Sequence, residues 1–118
     1  MDNEICFLKI KGYLDITTAE ELENTIDSVV NSGNYKVIVD LNDVEYISSM
    51  GWSVFISRLK NVRESRGDIK LVGMQPDVYE VYKLLEFDLF LSAYDTIDEA
   101  IANFTQNGTI VYQSEKKY

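Results

Sequence analysis

The stretch Tyr35-Lys36-Val37-Ile38-Val39-Asp40-Leu41 hands over, through Asn42-Asp43-Val44-Glu45 and Tyr46-Ile47, to Ser48-Ser49-Met50-Gly51. Val37-Ile38-Val39 shows no alternation with polar residues, the pattern of a strand covered on both faces in a parallel sheet. Asn42-Asp43-Val44-Glu45 breaks that pattern, and Tyr46-Ile47 restores an extended apolar pair. From Ser49 onward Gly51, Phe55, Leu59 and Val62 fall on one helical face. A central strand therefore leads into a helix N-terminus that carries one or two hydroxyls. The unpaired N–H groups and positive dipole end of such a terminus favour negative charge, which makes it a good seat for a phosphate.

Upstream, residues 5–11 read as a strand, with Gly12 and Asp15 marking the turn after it. Thr17 with Glu20, or Thr18 with Glu21, offers a capping box for a helix that places Leu22, Ile26, Val29 and Val30 on one face and runs to about Asn31. Downstream, the second helix ends near Gly67, and Asp68-Ile69-Lys70-Leu71-Val72 reads as a strand. Pro76-Asp77 starts a third helix with Val78, Val81, Tyr82 and Leu85 at helical spacing. Leu89-Phe90-Leu91 reads as a short strand. Thr96 and Glu99 form a capping box for a fourth helix that presents Ile97, Ala100, Ile101 and Phe104. Asn107-Gly108 reads as the left-handed cap that ends it. Residues 109–113 have the chemistry of an added edge strand, and 114–118 that of a solvated tail. The repeated strand–helix order predicts an α/β layer fold, without internal repeat or interdomain linker.

The 118 residues suit one domain that buries about two-thirds of its unfolded surface. A 46% hydrophobic content with one proline and six glycines is globular. With 20 acidic against 11 basic residues the formal charge is −9, so nucleic acid and anionic membranes would begin by repelling the chain, and a basic or mixed protein partner fits better. No apolar run approaches the ~20 residues of a bilayer span, and the acidic start lacks the basic region of a signal peptide, so a cytoplasmic protein is expected. The single cysteine, Cys6, lies in an alternating apolar stretch and reads as a small core hydrophobe. The absence of histidine removes Ser/His and Cys/His catalysis. Without a glycine-rich phosphate loop or a nucleophile–base pair, no enzyme is expected and no cofactor is called for. Asp40, Asp43 and Glu45 lack the glycine-centred spacing of a calcium loop, so no metal site is assigned.

Gly12-Tyr13-Leu14-Asp15, Thr18-Ala19-Glu20-Glu21-Leu22, Val39-Asp40-Leu41 and Tyr46-Ile47-Ser48-Ser49-Met50-Gly51, followed by Leu71-Val72-Gly73-Met74, Pro76 and Asp95-Thr96 with Glu99-Ala100, resemble the bacterial anti-sigma factor antagonists of the STAS domain family. The resemblance covers about residues 5–104. It implies a single STAS-like α/β domain over 1–118, with a mixed central β-sheet packed against about four α-helices. It also implies a non-enzymatic partner switch: the protein binds an anti-sigma factor that is also a serine protein kinase, and phosphorylation silences it. A serine phosphatase would reverse the modification, and neither direct nucleic-acid binding nor membrane insertion is implied.

In the family pattern Asp-Ser-Ser/Thr-Gly the first hydroxyl residue after Asp accepts the phosphate, a position that falls on Ser49, with Ser48 as the second choice. Ser48 stands where the family has aspartate and Met50 where it has a second hydroxyl residue. These departures keep an alternative open, a phosphorylation-independent scaffold or transporter-associated STAS module. The resemblance places Asp15 and the helix start with Ser48 and Ser49 on the partner-binding surface; Met50 and Trp52, which flank the acceptor, would anchor an interface if exposed, and Gly51 would let a partner backbone approach closely. Each has a plainer reading beside it: helix cap for Ser48 or Ser49, turn residue for Asp15, core packing for Met50 and Trp52, and close helix–sheet packing for Gly51.

Overall fold

The structure, a computed structural model, describes residues 4–104 and the backbone of 109–117. The elements are β1 (Glu4–Leu14), α1 (Ile16–Asn31), β2 (Lys36–Ile47), α2 (Ser49–Glu64), β3 (Asp68–Val72), α3 (Pro76–Leu84), a 3₁₀ turn (Phe87–Leu89), β4 (Ser92–Tyr94), α4 (Ile97–Phe104) and β5 (Thr109–Lys117). The sheet order is β4-β3-β2-β1-β5, and every pairing is parallel. This corrects the expected mixed sheet. Each connection between consecutive strands contains a helix, and a helical crossover brings the chain back to the same end of the sheet.

The handedness of those crossovers distributes the helices. From β1 to β4 the chain steps in one direction along the sheet, so right-handed connections put α1, α2 and α3 on one face. The connection from β4 to β5 travels the opposite way, which puts α4 on the other face. Side chains divide accordingly. Cys6, Leu8 and Ile10 of β1, Val37 and Val39 of β2, and Ile69 and Leu71 of β3 meet the three-helix layer. Ile5, Phe7, Ile38 and Val72 meet Ala100 of α4, flanked by Ile97, Ile101 and Phe104. Lys70 is buried under this layer, its ammonium 3.2 Å from Asp68 and 4.8 Å from the Phe104 ring centre.

Five local expectations need correction. Gly12 lies inside β1, at φ +94° beside a register shift against β2, and is not a turn. Asn42–Glu45 continues β2 because β1 extends alongside it, Lys11 opposite Asp43 and Gly12 opposite Val44. Asp15, not a threonine, caps α1: its carboxylate accepts from the N–H groups of Thr17 at 2.9 Å and Thr18 at 3.3 Å, while Thr18 Oγ1 accepts from the Asp15 N–H. Leu89-Phe90-Leu91 is not a strand. Its carbonyls are taken by side chains, Phe90 O by Arg63 at 2.6 Å and Leu91 O by the Tyr82 hydroxyl, so it needs no ladder and β4 begins at Ser92. Residues 109–117 form β5 along β1, so 114–117 continue the strand where a tail was expected. The Asn107-Gly108 cap lies outside the described residues.

Truncating the chain at Asn107 strips β5 from β1 and leaves a long unpaired edge. Size-exclusion chromatography with light scattering is expected to show dimers or larger species, with a lower urea midpoint. A truncated monomer of unchanged midpoint would show that β5 contributes nothing.

Burial pushes the Cys6 thiol up to about 12. An aromatic disulfide reagent at pH 8 should label Cys6 only as fast as the whole molecule unfolds; rapid labelling of the folded protein would contradict the packing.

Candidate functional site

The carboxyl ends of β1 and β2 lie side by side, Tyr13 opposite Tyr46 and Leu14 opposite Ile47. Each strand passes directly into a helix. The Ser48 N–H donates to Leu14 O at 2.7 Å, so the starts of α1 and α2 are tied together. Gly51 makes the approach feasible. A Cβ there would sit 2.8 Å from Ile47 Cγ2 and 3.1 Å from both Cβ and O of Leu14.

The two serines have separate positions. Ser48 is the N-cap of α2, with extended backbone, and its hydroxyl accepts from the Gly51 N–H at 3.3 Å. The Ser48 carbonyl accepts from the Trp52 N–H at 3.0 Å. Ser49 is the first helical residue and is exposed. The N–H groups of Ser49 and Met50 precede the first intrahelical bond, so the tip of α2 presents two donors and the positive end of its dipole beside the Ser49 side chain.

Asp15 is half-buried at the neighbouring helix start and acts as a cap. Hydrogen bonds from the Thr17 side chain first, then from the Thr17 and Thr18 N–H groups, hold its carboxyl below the usual range. Met50 is 49% exposed, whereas Trp52 is 1% exposed and belongs to the core. Trp52 stacks on Phe87 at 5.0 Å and Tyr82 at 6.0 Å between ring centres, and its Nε1 has no hydrogen-bond partner. Gly51 is likewise buried. Of the residues expected on the surface, Asp15, Ser48, Ser49 and Met50 come together there, and Gly51 and Trp52 support it from below.

Three surface residues escaped the sequence reading: Tyr13, Ile16 and Tyr46, exposed by 52%, 75% and 53%. Tyr13 and Tyr46 face one another across the strand pair, and Ile16 shares with Met50 a groove of about 390 Å³ between α1 and α2. The four, an apolar collar, are exposed at the strand ends and helix starts that carry Ser48 and Ser49. The polar side of the groove carries Ser53, Ser57, Glu20, Glu23 and Arg58. Arg58 is held by Asp27 at 2.8 Å and Glu23 at 3.0 Å. The Asp40–Asp43 pair encloses an ammonium: Lys9 Nζ lies 3.4 Å from each carboxylate, and Asp40 first, with Asp43, raises the Lys9 pKa. Among the described residues, no group of three or more His, Cys, Asp or Glu side chains is arranged to hold a metal ion.

The family model for the STAS domain matches residues 2–100. The chain belongs to the STAS domain family. It is 36% identical over 100 residues to a Thermotoga maritima protein provisionally named an anti-sigma factor antagonist, covering 84% of this chain and 88% of that one. It is 30% identical over 95 residues to BtrV of Bordetella bronchiseptica, which carries the same provisional name, covering 80% and 82%. The crystal structure of a Thermotoga maritima protein, also named an anti-sigma factor antagonist only provisionally, superposes with a TM-score of 0.74 at 31% identity, over 80% of this chain and 85% of that one. The unphosphorylated anti-sigma factor antagonist SpoIIAA, at 17% identity and a TM-score of 0.63 over 81% and 84%, shares the fold. No helix among the described residues of this STAS protein is long and apolar enough to cross a membrane.

Adding a methyl group at Gly51 forces α2 away from Leu14 O, a backbone atom that cannot rotate aside. Gly51→Ala is expected to destabilise the protein by about 1–2 kcal/mol in urea unfolding, overpacking outweighing the gain in helix propensity. An unchanged midpoint would show that the contact is slack.

Proposed function

We propose that this STAS protein is a non-enzymatic anti-sigma factor antagonist whose docking surface is the collar around Ser49, and that phosphorylation of Ser49 releases the partner. The observation that carries the reading is the division of labour between the serines. Ser48 is committed to capping α2, whereas Ser49 is exposed at a dipole end that favours negative charge. The names of the Thermotoga and Bordetella relatives support the partner class. That partner is an anti-sigma factor that is also the serine protein kinase, a serine phosphatase restores the free hydroxyl, and the exchange takes place in the cytoplasm.

The tip of α2 has two effects. Its N–H groups stabilise a phosphate of about −1.5 to −2 charges on the free protein, so modification needs no change of fold. A partner seated on Tyr13, Ile16, Tyr46 and Met50 would have to strip water from that phosphate. Each ~1.4 kcal/mol of this penalty weakens binding tenfold.

The test pairs calorimetric binding to the anti-sigma factor of the source organism with phosphosite mapping. Ser49→Ala should bind like the unmodified protein and accept no phosphate; Ser49→Asp should bind about 100-fold more weakly, two such tenfold steps. Equal binding by Ser49→Asp would overturn the switch, and phosphate retained by Ser49→Ala but lost in Ser48→Ala would move the acceptor to Ser48.

A further inference from the structure

A second concave site opens at the carboxyl ends of β3 and β4, a cavity of about 550 Å³ separate from the Ser49 collar. Its walls carry the rings of Tyr79 and Tyr94, the thioether of Met74 and the carboxylates of Asp95 and Glu99, with no basic side chain among them. Tyr79 is 47% exposed, although it is a large aromatic on a helix whose Val78 and Tyr82 are buried. Glu99 Oε1 accepts from the Thr96 N–H at 3.2 Å as part of the α4 cap, and its carboxylate still lines the cavity.

The electrostatic sign follows from a count of opposing charges. The starts of α3 and α4 border the cavity, and each contributes about +0.5 of an elementary charge. Asp95 and Glu99 line the cavity, and Asp77 and Asp98 lie in the same first turns, four negative charges in all; the Lys70 ammonium, 5.5 Å from the Tyr94 ring centre, is paired with Asp68 at 3.2 Å and leaves that balance unchanged. The carboxylates win, so the cavity attracts a cation and repels a phosphate. Flat aromatic walls with carboxylates at the rim suit a guanidinium better than an ammonium. The planar group stacks on a tyrosine ring while its N–H fork reaches the carboxylate oxygens.

We infer that this cavity receives an arginine side chain projecting from the docked partner, a second point of attachment beside the Ser49 collar. The inference rests on the proposed partner switch. Position supports a protein occupant: the cavity lies on the carboxyl side of the sheet, the side from which α2 starts, and a cleft of about 190 Å³ lined by Tyr46 and Asp77 lies between the two. Charge complementarity supports a basic one, because the whole chain carries −9. The two sites also divide the task. A collar of exposed apolar side chains tells one partner surface poorly from another, whereas a buried guanidinium with two carboxylates rejects any partner that lacks it.

The probe is a blocked Gly-Arg-Gly peptide titrated into the intact, ¹⁵N-labelled protein, with the citrulline peptide as its neutral isostere and agmatine as a free organic cation. The arginine peptide should bind with a Kd of about 1 mM, shift the amides of Met74, Tyr79, Tyr94 and Glu99, and bind at least about tenfold more weakly to Asp95→Asn and to Tyr79→Ala. Citrulline binding equal to arginine, or shifts unaffected by both variants, would overturn the inference. Agmatine binding more than about tenfold tighter than the peptide would overturn it in favour of a free small-molecule ligand. Ser49→Asp should leave peptide binding unchanged. Failure of the peptide therefore removes the arginine site and leaves the Ser49 switch intact, whereas failure of Ser49→Asp to weaken the anti-sigma factor removes the switch while peptide binding stands.

Discussion

The bond from the Ser48 N–H to Leu14 O, with Gly51 lying bare against Leu14 and Ile47, is the joint on which the surface depends. It fixes the last residue of β1 against the first turn of α2. Asp15 follows Leu14 in the chain, so the start of α1 has no freedom to move away from Ser49. The neighbouring strands, each followed at once by a helix, bring two helix N-termini to one spot, and parallel pairing gives both the same outward direction. Loosening the joint would separate the two caps.

That core is stiff where stiffness matters. Trp52 lies one turn inside α2 and is clamped by Phe55, Tyr82 and Phe87, which ties α2 to α3 and to the 3₁₀ turn. Aromatic pairs at 5–6.5 Å separation contribute about 0.5–1.5 kcal/mol each beyond their burial. A side chain so fixed cannot reach a partner, although its place in the sequence between Gly51 and Ser53 invites that reading. The indole N–H is left unpaired, a cost accepted for shape. Packing on three rings fixes the indole, so the α2 tip suits a switch of charge better than a switch of shape.

What could be read from the residues, and what could not, follows from the range of the forces involved. The helices α1, α2 and α3 announce themselves through apolar spacing, with Ser48 opening α2 and Pro76 opening α3, and the unbroken Val37-Ile38-Val39 gives away a doubly covered strand. The extension of β2 through Asn42–Glu45 was hidden because its reason lies in another strand: β1 continues beside it and supplies the ladder, while Lys9 pairs with both Asp40 and Asp43. Leu89-Phe90-Leu91 misled for the converse reason, since distant Arg63 and nearby Tyr82 take its carbonyls. The positions of Asp15 and Ser49 at the two helix starts were legible from motif and spacing. The collar was not, because whether Tyr13 or Tyr46 faces water depends on how far along its face of the sheet α4 reaches, a property of topology.

The direction of the α4 crossover thus reaches as far as the site. Lying on the opposite face and centred on β2 and β3, α4 covers Ile5, Phe7 and Ile38 but stops short of the outer ends of β1 and β2. There the same strand face turns charged, with Lys9 and Asp40, and then aromatic, with Tyr13 and Tyr46 exposed. An exposed tyrosine pair beside a positively poled helix tip is apolar enough to gain from being covered and polar enough to remain in water when it is not. In the proposed switch reversible docking needs that balance, and a charge added at Ser49 would act at the edge of the covered area, so the hydration it must surrender would rise with the closeness of the fit.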